Sequence, residues 1–508
     1  MDHLRIICLA LAVFCLACAA PSATADEAAK ASPAAASEAK RFVTRHEGRF
    51  NGVKIAYSAE AGETIIRDDT GAPIAAFFSI AYLADNPKGT GPRPVTFLFN
   101  GGPGSASLWL HMGAFGPKRV ALPSEPDDDG APPYPVVDNP DTILDISDLV
   151  FIDPVGTGWS IPLGEKKAED FYGVTEDAES IARFIHQWLK DRGRWNTPIY
   201  IAGESYGTLR TGALLKALAD RRHMIGVNGA ILISAVLDYQ MSRFPDGNIM
   251  SYVSFLPSYA ATAWYHDRLP EKPADLKAFL DEVRTFARTD YATALIAGSR
   301  LPAEERTRII DKLHAYTGLS RDWLDGANMR IHVFRYFKEL RRDDKLVVGR
   351  LDSRYTGVET DSVGENFATD PFASATGDAY AATIRAWFHD GLGIRMERPY
   401  FPSSLDAGRK WNWIEGERAP NGGRFINVVP YIAETMQRNK DFRLLVTQGW
   451  FDFATPFFGA ENALAEPGVP ADRVRFTYYP AGHMMYLHDA SRAAFLKDVH
   501  DFISAGGK

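Results

Sequence analysis

Short apolar, β-prone runs recur along the chain and take turns with stretches of helical period. From Arg49 the pattern first alternates, with Val53, Ile55 and Tyr57 facing one way and Lys54 and Ser58 the other. Together with the turn at Asp68-Asp69-Thr70-Gly71 and the run Ala75 to Leu83, this predicts an antiparallel meander opening a sheet. Apolar runs follow at 95–99, 149–155, 198–202 and 230–233, as expected of buried strands. Between them, 174–192 reads as an amphipathic helix, and 208–221 as another with Leu209, Leu214, Leu215 and Leu218 at helical spacing. From roughly 236 to 425 the rhythm is lost and helical segments dominate, at 271–297, 303–317, 329–341 and 379–391. The strand pattern resumes at 442–447 and 474–479. Strands in series with intervening helices predict an α/β fold with a mostly parallel central sheet flanked by helices. The helical stretch is expected to lie as an insertion over the sheet's C-terminal edge, where ligands of such folds bind. The division expected is core over 41–235, insertion or cap over 236–425 and core again over 426–508.

Chemistry concentrates at the strand ends. The strand at 198–202 runs into Gly203-Glu204-Ser205-Tyr206-Gly207 and then a helix. Strand, G-x-S-x-G, helix is the nucleophile elbow of the α/β-hydrolase fold, in which a strained turn leaves room only for glycine two residues to either side of the serine. The helix that follows points its N-terminal N–H groups toward charge developing during attack. An earlier strand, 95–99, ends in Asn100-Gly101-Gly102-Pro103-Gly104-Ser105, a glycine loop of the kind that supplies an oxyanion N–H. The two resumed strands end in Gly449-Trp450-Phe451-Asp452 and Ala481-Gly482-His483-Met484. Ser205, Asp452 and His483 therefore stand in the hydrolase order of nucleophile, acid and base. Ser205 is expected to attack, His483 to carry its proton, and Asp452 to hold the imidazole tautomer. His488 is the one nearby rival for the base, while His111 and His186 read as core or surface residues.

The N-terminus reads as a secretion signal. His3 and Arg5 precede the apolar run Ile6 to Ala20, which is short for a membrane span, and Ala23-Thr24-Ala25 gives a cleavage site before Asp26. Cys8, Cys15 and Cys18 all lie inside it, so cleavage leaves a mature chain without disulfides, thiolate metal sites or a cysteine nucleophile. A membrane anchor, or lipid on Cys18, is the alternative reading. Residues 26–40 read as a flexible lead-in. A net charge of −8 with no basic run argues against a nucleic-acid partner. Asp127-Asp128-Asp129 lacks the interleaved spacing of a calcium loop, and neither metal nor cofactor is expected. An exported, disulfide-free chain of this size suits a bacterial periplasmic or secreted enzyme, with no stable membrane insertion once the signal is gone.

Taken together, four blocks resemble the signatures of the serine carboxypeptidases: Asn100–Leu108, Asp153–Ser160, Gly203–Gly207, and the terminal pair Gly449–Asp452 with Gly482–Met484. They stand in the family's order across nearly all of the mature chain. The resemblance implies an oxyanion hole from the N–H groups of Gly102 and Tyr206, and a helical insertion that helps form the pocket. It also implies that Asn100 and Glu204 bind the carboxylate of a peptide substrate's C-terminus. The family's second recognition Glu falls at Ala114 here, Ser105 replaces a family cysteine, and the elbow continues Gly207-Thr208 where family members often have Ala-Gly or Gly-Gly. The expected function is serine carboxypeptidase-like cleavage of peptide C-terminal residues through an acyl-enzyme. An esterase, acyltransferase or other peptidase on the same triad stays open, with Ala114 as its support. A catalytically inert binding protein is a third reading, disfavoured because the triad and the oxyanion glycines are intact. With one carboxyl of the recognition pair gone, Glu204 must be neutral or helped by a cation. Arg210 is a candidate for that helper, and an ion-pair partner within the helix packing is its plainer reading.

Overall fold

A computed structural model describes residues 39–86, 91–127, 130–367, 369–413 and 425–506. The expected signal at 1–25, nearly all of the lead-in, the three cysteines and Asp128-Asp129 lie outside the described residues. Among those residues, nine strands form one continuous path: β1 Arg41–Phe50, β2 Val53–Arg67, β3 Pro73–Ala84, β4 Val95–Phe99, β5 Asp148–Ile152, β6 Ile199–Glu204, β7 Gly229–Ile233, β8 Arg443–Gly449 and β9 Val474–Tyr479. Their spatial order is β1-β2-β3-β5-β4-β6-β7-β8-β9. β1, β2 and β3 form the antiparallel meander and β3 joins β5 antiparallel. From β5 to β9 every pairing is parallel. The fold is thus the α/β-hydrolase type that the strand pattern and the elbow predicted. β1 was not foreseen: it carries Arg41, Arg45, Glu47 and Arg49 on an outer edge, and such charge hides an edge strand from an apolar pattern.

Successive side chains on a strand point to opposite faces, so each central strand feeds two cores. Phe97 and Ile201 enter one core, where helices α1 (Val174–Arg192) and α2 (Tyr206–Ala219) contribute Ile185, Trp188 and Leu214. Their neighbours Leu98 and Ala202 enter the other, which holds Leu110, Phe495 and Val499. Between β7 and β8 the chain builds helices α3 (Met250–Tyr265), α4 (Leu276–Phe286), α5 (Ala303–Thr317), α6 (Val333–Glu339) and α7 (Pro371–Ala386), then α8 (Val429–Arg438). A third core joins Tyr259, Leu313 and Tyr336 of this insertion to Phe451, Phe453 and Phe457, which follow β8. α3 is buried nearly all round and contains Pro257, so it lacks the polar face by which a helix is read from sequence. The insertion also holds a small antiparallel hairpin, Leu346–Val348 with Thr356–Val358, that the helical reading missed. A last helix, α9 (Asp489–Ala505), closes the chain's described part.

Candidate active site

Ser205 stands between β6 and α2 at φ +60° and ψ −129°, a conformation that side chains seldom adopt. Crowding explains its neighbours. A Cβ on Gly203 would overlap the Gly207 carbonyl, and one on Gly207 would lie 3.1 Å from Phe99 O. The turn is pinned where Ser205 N donates to Ile233 O (2.9 Å) and Ser205 O accepts from Thr208 N (2.8 Å) and Thr208 Oγ1 (2.7 Å).

The glycine loop leaves β4 against this turn. A Cβ on Gly101 would fall 2.5 Å from Tyr206 N, and Gly102 has φ +104°, so glycine alone permits the approach. The backbones of Gly101 and Tyr206 are therefore brought together, and Gly102 lines the same cavity as Ser205. The loop's far side is fastened by the Asp153–Ser160 block: Ser107 N and Ser107 Oγ both donate to Asp153 Oδ1 at 2.8 Å. Burial pushes the Asp153 carboxyl up to about 6, against those hydrogen bonds.

Asp452 and His483 come from the loops after β8 and β9. His483 Nδ1 and Asp452 Oδ2 are 2.7 Å apart, both buried. Asp452 also accepts from Ala454 N (2.7 Å), Thr455 N (3.0 Å) and Thr455 Oγ1 (2.7 Å). These donors fix the carboxylate, which in turn accepts the hydrogen bond of Nδ1–H and so leaves Nε2 as the acceptor. Burial works to lower the His483 pKa, yet the charge and hydrogen bond of Asp452 outweigh it and hold the imidazole above its ordinary value. His488 is occupied elsewhere, with Nδ1 2.7 Å from Ser491 Oγ.

Both loops are held by a segment of the insertion. Between the two hairpin strands, Leu351 O accepts from His483 N (2.6 Å), Arg350 O from Phe453 N (3.1 Å), and Asp352 Oδ2 from Gly482 N (3.0 Å). Asp352 is itself paired with Arg354, 2.7 Å from Oδ2 to Nη2, and both are buried. A Cβ on Gly482 would overlap Asp352, and one on Gly449 the Gly482 carbonyl. Sequence reasoning missed this clamp because its members lie about 100–130 residues from the loops they hold, with no local motif to mark them.

Glu204 lies beside the serine. Asn100 Nδ2 donates to its Oε2 (2.7 Å) and Tyr486 Oη to Oε2 (2.9 Å) and Oε1 (3.2 Å), while Leu110 N donates to Asn100 Oδ1 (3.1 Å). Burial raises the Glu204 pKa to about 7, although the charge of a protonated His483 and both donors favour the ionised form. Tyr486 was not foreseen. Ala114 is fully buried. Arg210 is not a free cation: it is fully buried, with Nε 2.6 Å from Asp177 Oδ2 and Nη1 2.5 Å from Asn100 O, so it ties α1 and α2 to the glycine loop. The ion-pair reading of Arg210 holds and the helper reading is withdrawn.

Asn100, Gly101, Gly102, Glu204, Ser205 and His483 all line one cavity of about 390 Å³, walled also by Trp109, Arg350, Leu351, Phe372 and Met484. Such a cavity, apolar on its walls with a few convergent polar groups, is what a small-molecule or chain-end site requires.

Three likenesses to known proteins bear on the chain as a whole. The family model for serine carboxypeptidase matches residues 73–252. The serine-type carboxypeptidase F of Aspergillus niger is 32% identical over 113 residues, a stretch that spans 22% of this chain and only 19% of that relative's length. A prohormone-processing carboxypeptidase of Saccharomyces cerevisiae superposes with a TM-score of 0.56 at 13% identity, covering 88% of this chain and 91% of that one. The chain is thus similar to the serine carboxypeptidases over residues 73–252, and the likeness to a solved structure shows a shared fold.

Proposed function

We propose that the protein is an exported serine carboxypeptidase, released as a periplasmic or secreted enzyme by cleavage near Ala25, that removes residues from peptide C-termini. The observation that carries this reading is one cavity lined by the strained Ser205, by His483 paired with Asp452, and by the Asn100–Glu204 pair. In the mechanism, His483 Nε2 takes the Ser205 proton as Oγ attacks the last peptide carbonyl. Asp452 keeps Nδ1 protonated and stabilises the imidazolium. The N–H groups of Gly102 and Tyr206 receive the oxyanion, helped by the positive end of α2. His483 then gives its proton to the departing amine, and water hydrolyses the acyl-enzyme by the same route. Asn100 and Glu204 hold the departing residue's carboxylate. Peptides are the partners, and the chemistry needs no cofactor. Among the described residues no helix is long and apolar enough to cross a membrane.

Blocked dipeptides, their amides and simple esters test the reading side by side. Free acids should be cleaved ahead of amides, Ser205→Ala should lower kcat by several orders of magnitude, and a fluorophosphonate should label the wild type but not that variant. Ester turnover without dipeptide turnover would move the assignment to an esterase. Fluorophosphonate labelling that survives Ser205→Ala would remove Ser205 from the mechanism.

A further inference from the structure

We propose that Arg350 is the carboxylate-binding cation of the cavity, its guanidinium pairing with a carboxylate of the substrate residue that occupies the space beside Glu204. The inference deepens the carboxypeptidase reading and rests on it. Three charged or chargeable side chains line the cavity among the described residues: Glu204, His483 and Arg350. Of these, only Arg350 is a permanent cation. A substrate carboxylate meets Glu204 there, and once that group ionises the two repel unless a positive charge stands close by.

The other arginines around the site are already committed. Arg210 is bound to Asp177 and to the Asn100 carbonyl. Arg354 is buried against Asp352 and donates to Pro480 O (3.2 Å). Arg350, by contrast, is exposed on the cavity wall, and among the described residues no ion pair engages its guanidinium. Its charge acts on the Asp370 carboxyl, whose Oδ1 already accepts from Arg350 N (3.1 Å) and Phe372 N (3.1 Å) at the start of α7. Asp370 thus anchors the Arg350 backbone while its side chain stays available. On the other side Arg350 O accepts from Phe453 N (3.1 Å), next to Asp452. The residue is therefore fixed in place by the same clamp that holds the triad loops. Its charge is felt at His483, where it opposes protonation of the imidazole. A fixed backbone with a guanidinium outside any ion pair among the described residues is the arrangement that recognises a planar carboxylate through two parallel N–H donors.

The carboxylate has two sources, the chain terminus and an acidic terminal side chain, and paired substrates separate them. Wild type, Arg350→Gln and Arg350→Lys would be assayed on a blocked dipeptide as free acid and as amide, and on free acids ending in Glu or Gln. Ratios taken within each variant cancel any effect on the triad that all substrates share, and thermal melting reports folding. In Arg350→Gln either the acid-to-amide ratio or the Glu-to-Gln ratio of kcat/KM should fall by about 10- to 100-fold, the cost of a charge-assisted pair. The loss should lie mainly in KM, and Arg350→Lys should recover part of it. A fall in the first ratio assigns the terminal carboxylate, and a fall in the second the side chain. Both ratios unchanged in a folded Arg350→Gln variant would overturn the assignment, leaving the carboxypeptidase reading intact. No dipeptide turnover by the wild type would overturn the carboxypeptidase reading and this assignment together.

Discussion

Glu204 occupies the position next to Ser205, the proposed nucleophile, and its burial decides how it behaves. A carboxyl raised from 4.5 to about 7 keeps its proton in the folded chain between those values, where the unfolded chain has released it. Folding then takes up a proton, so the Glu204 contribution to stability falls as pH rises from 4.5 to about 7. Below that window there is no penalty, and above it the full cost is roughly 3 kcal/mol. Glu204→Gln should remove this slope, seen as a flatter dependence of the urea midpoint on pH across the same window. Activity should report the same proton. As Glu204 ionises, its repulsion of a terminal carboxylate grows, so the wild-type preference for acids over amides should weaken through about pH 7. In Glu204→Gln the preference should hold level with pH. His483 and Glu204 act on each other's charge, so the titration seen in kinetics belongs to the two groups as a pair. A wild-type acid preference that does not vary with pH would show that Glu204 does not read the carboxylate.

At the scale of elements, strand ends carry Ser205, Asp452 and His483, the proposed reacting groups, and a segment of the insertion holds the loops of the last two. Gly482 makes the point, because its backbone passes so close to Asp352 that any side chain must displace the loop. Its Cβ would also lie 2.5 Å from Leu351 O, a backbone atom that cannot swing aside. Gly482→Ala should therefore cost about 1–3 kcal/mol of stability and shift His483 from the serine. Since His483 serves every substrate, kcat should fall by similar factors for peptides and esters, unlike the selective effect expected at Glu204. Steady-state kinetics on both substrates checks this, and equal kcat values in variant and wild type would refute the clamp. The contrast shows what the sequence made legible. Glycines at 101, 102, 203 and 207, the order of Ser205, Asp452 and His483, and the central strands were readable because each is local, written in adjacent residues or in a short period. The helix at 303–317 was readable for the same reason. Asp352, Arg350 and Tyr486 were not, because each acts across the fold on a residue with which it shares no motif. For Arg210 the plainer ion-pair reading held, but its partner Asp177 could not be named from sequence, since it lies on the facing helix 33 residues away.

For the whole molecule, three cores divide the work of stability, two on the faces of the sheet and one within the insertion. The third reaches the site directly, because Phe451 and Phe453 flank Asp452 and pack into it. A chain this long buries a large share of its apolar surface and needs no covalent staples. Every cysteine lies at positions 8, 15 and 18, ahead of the proposed cleavage near Ala25. Two consequences follow if that cleavage occurs. Exported material should begin near Asp26, with an intact mass that carries neither lipid nor disulfide. Its melting temperature should be the same with and without reductant, and a form starting at residue 26 should fold to an active enzyme in a reducing cytoplasm. Disulfide-stapled secreted proteins behave otherwise, losing about 2–5 kcal/mol when a native bridge is reduced. N-terminal sequencing and paired thermal melts check both consequences, and a retained, lipid-bearing Cys18 would replace the soluble exported enzyme with a membrane-tethered one.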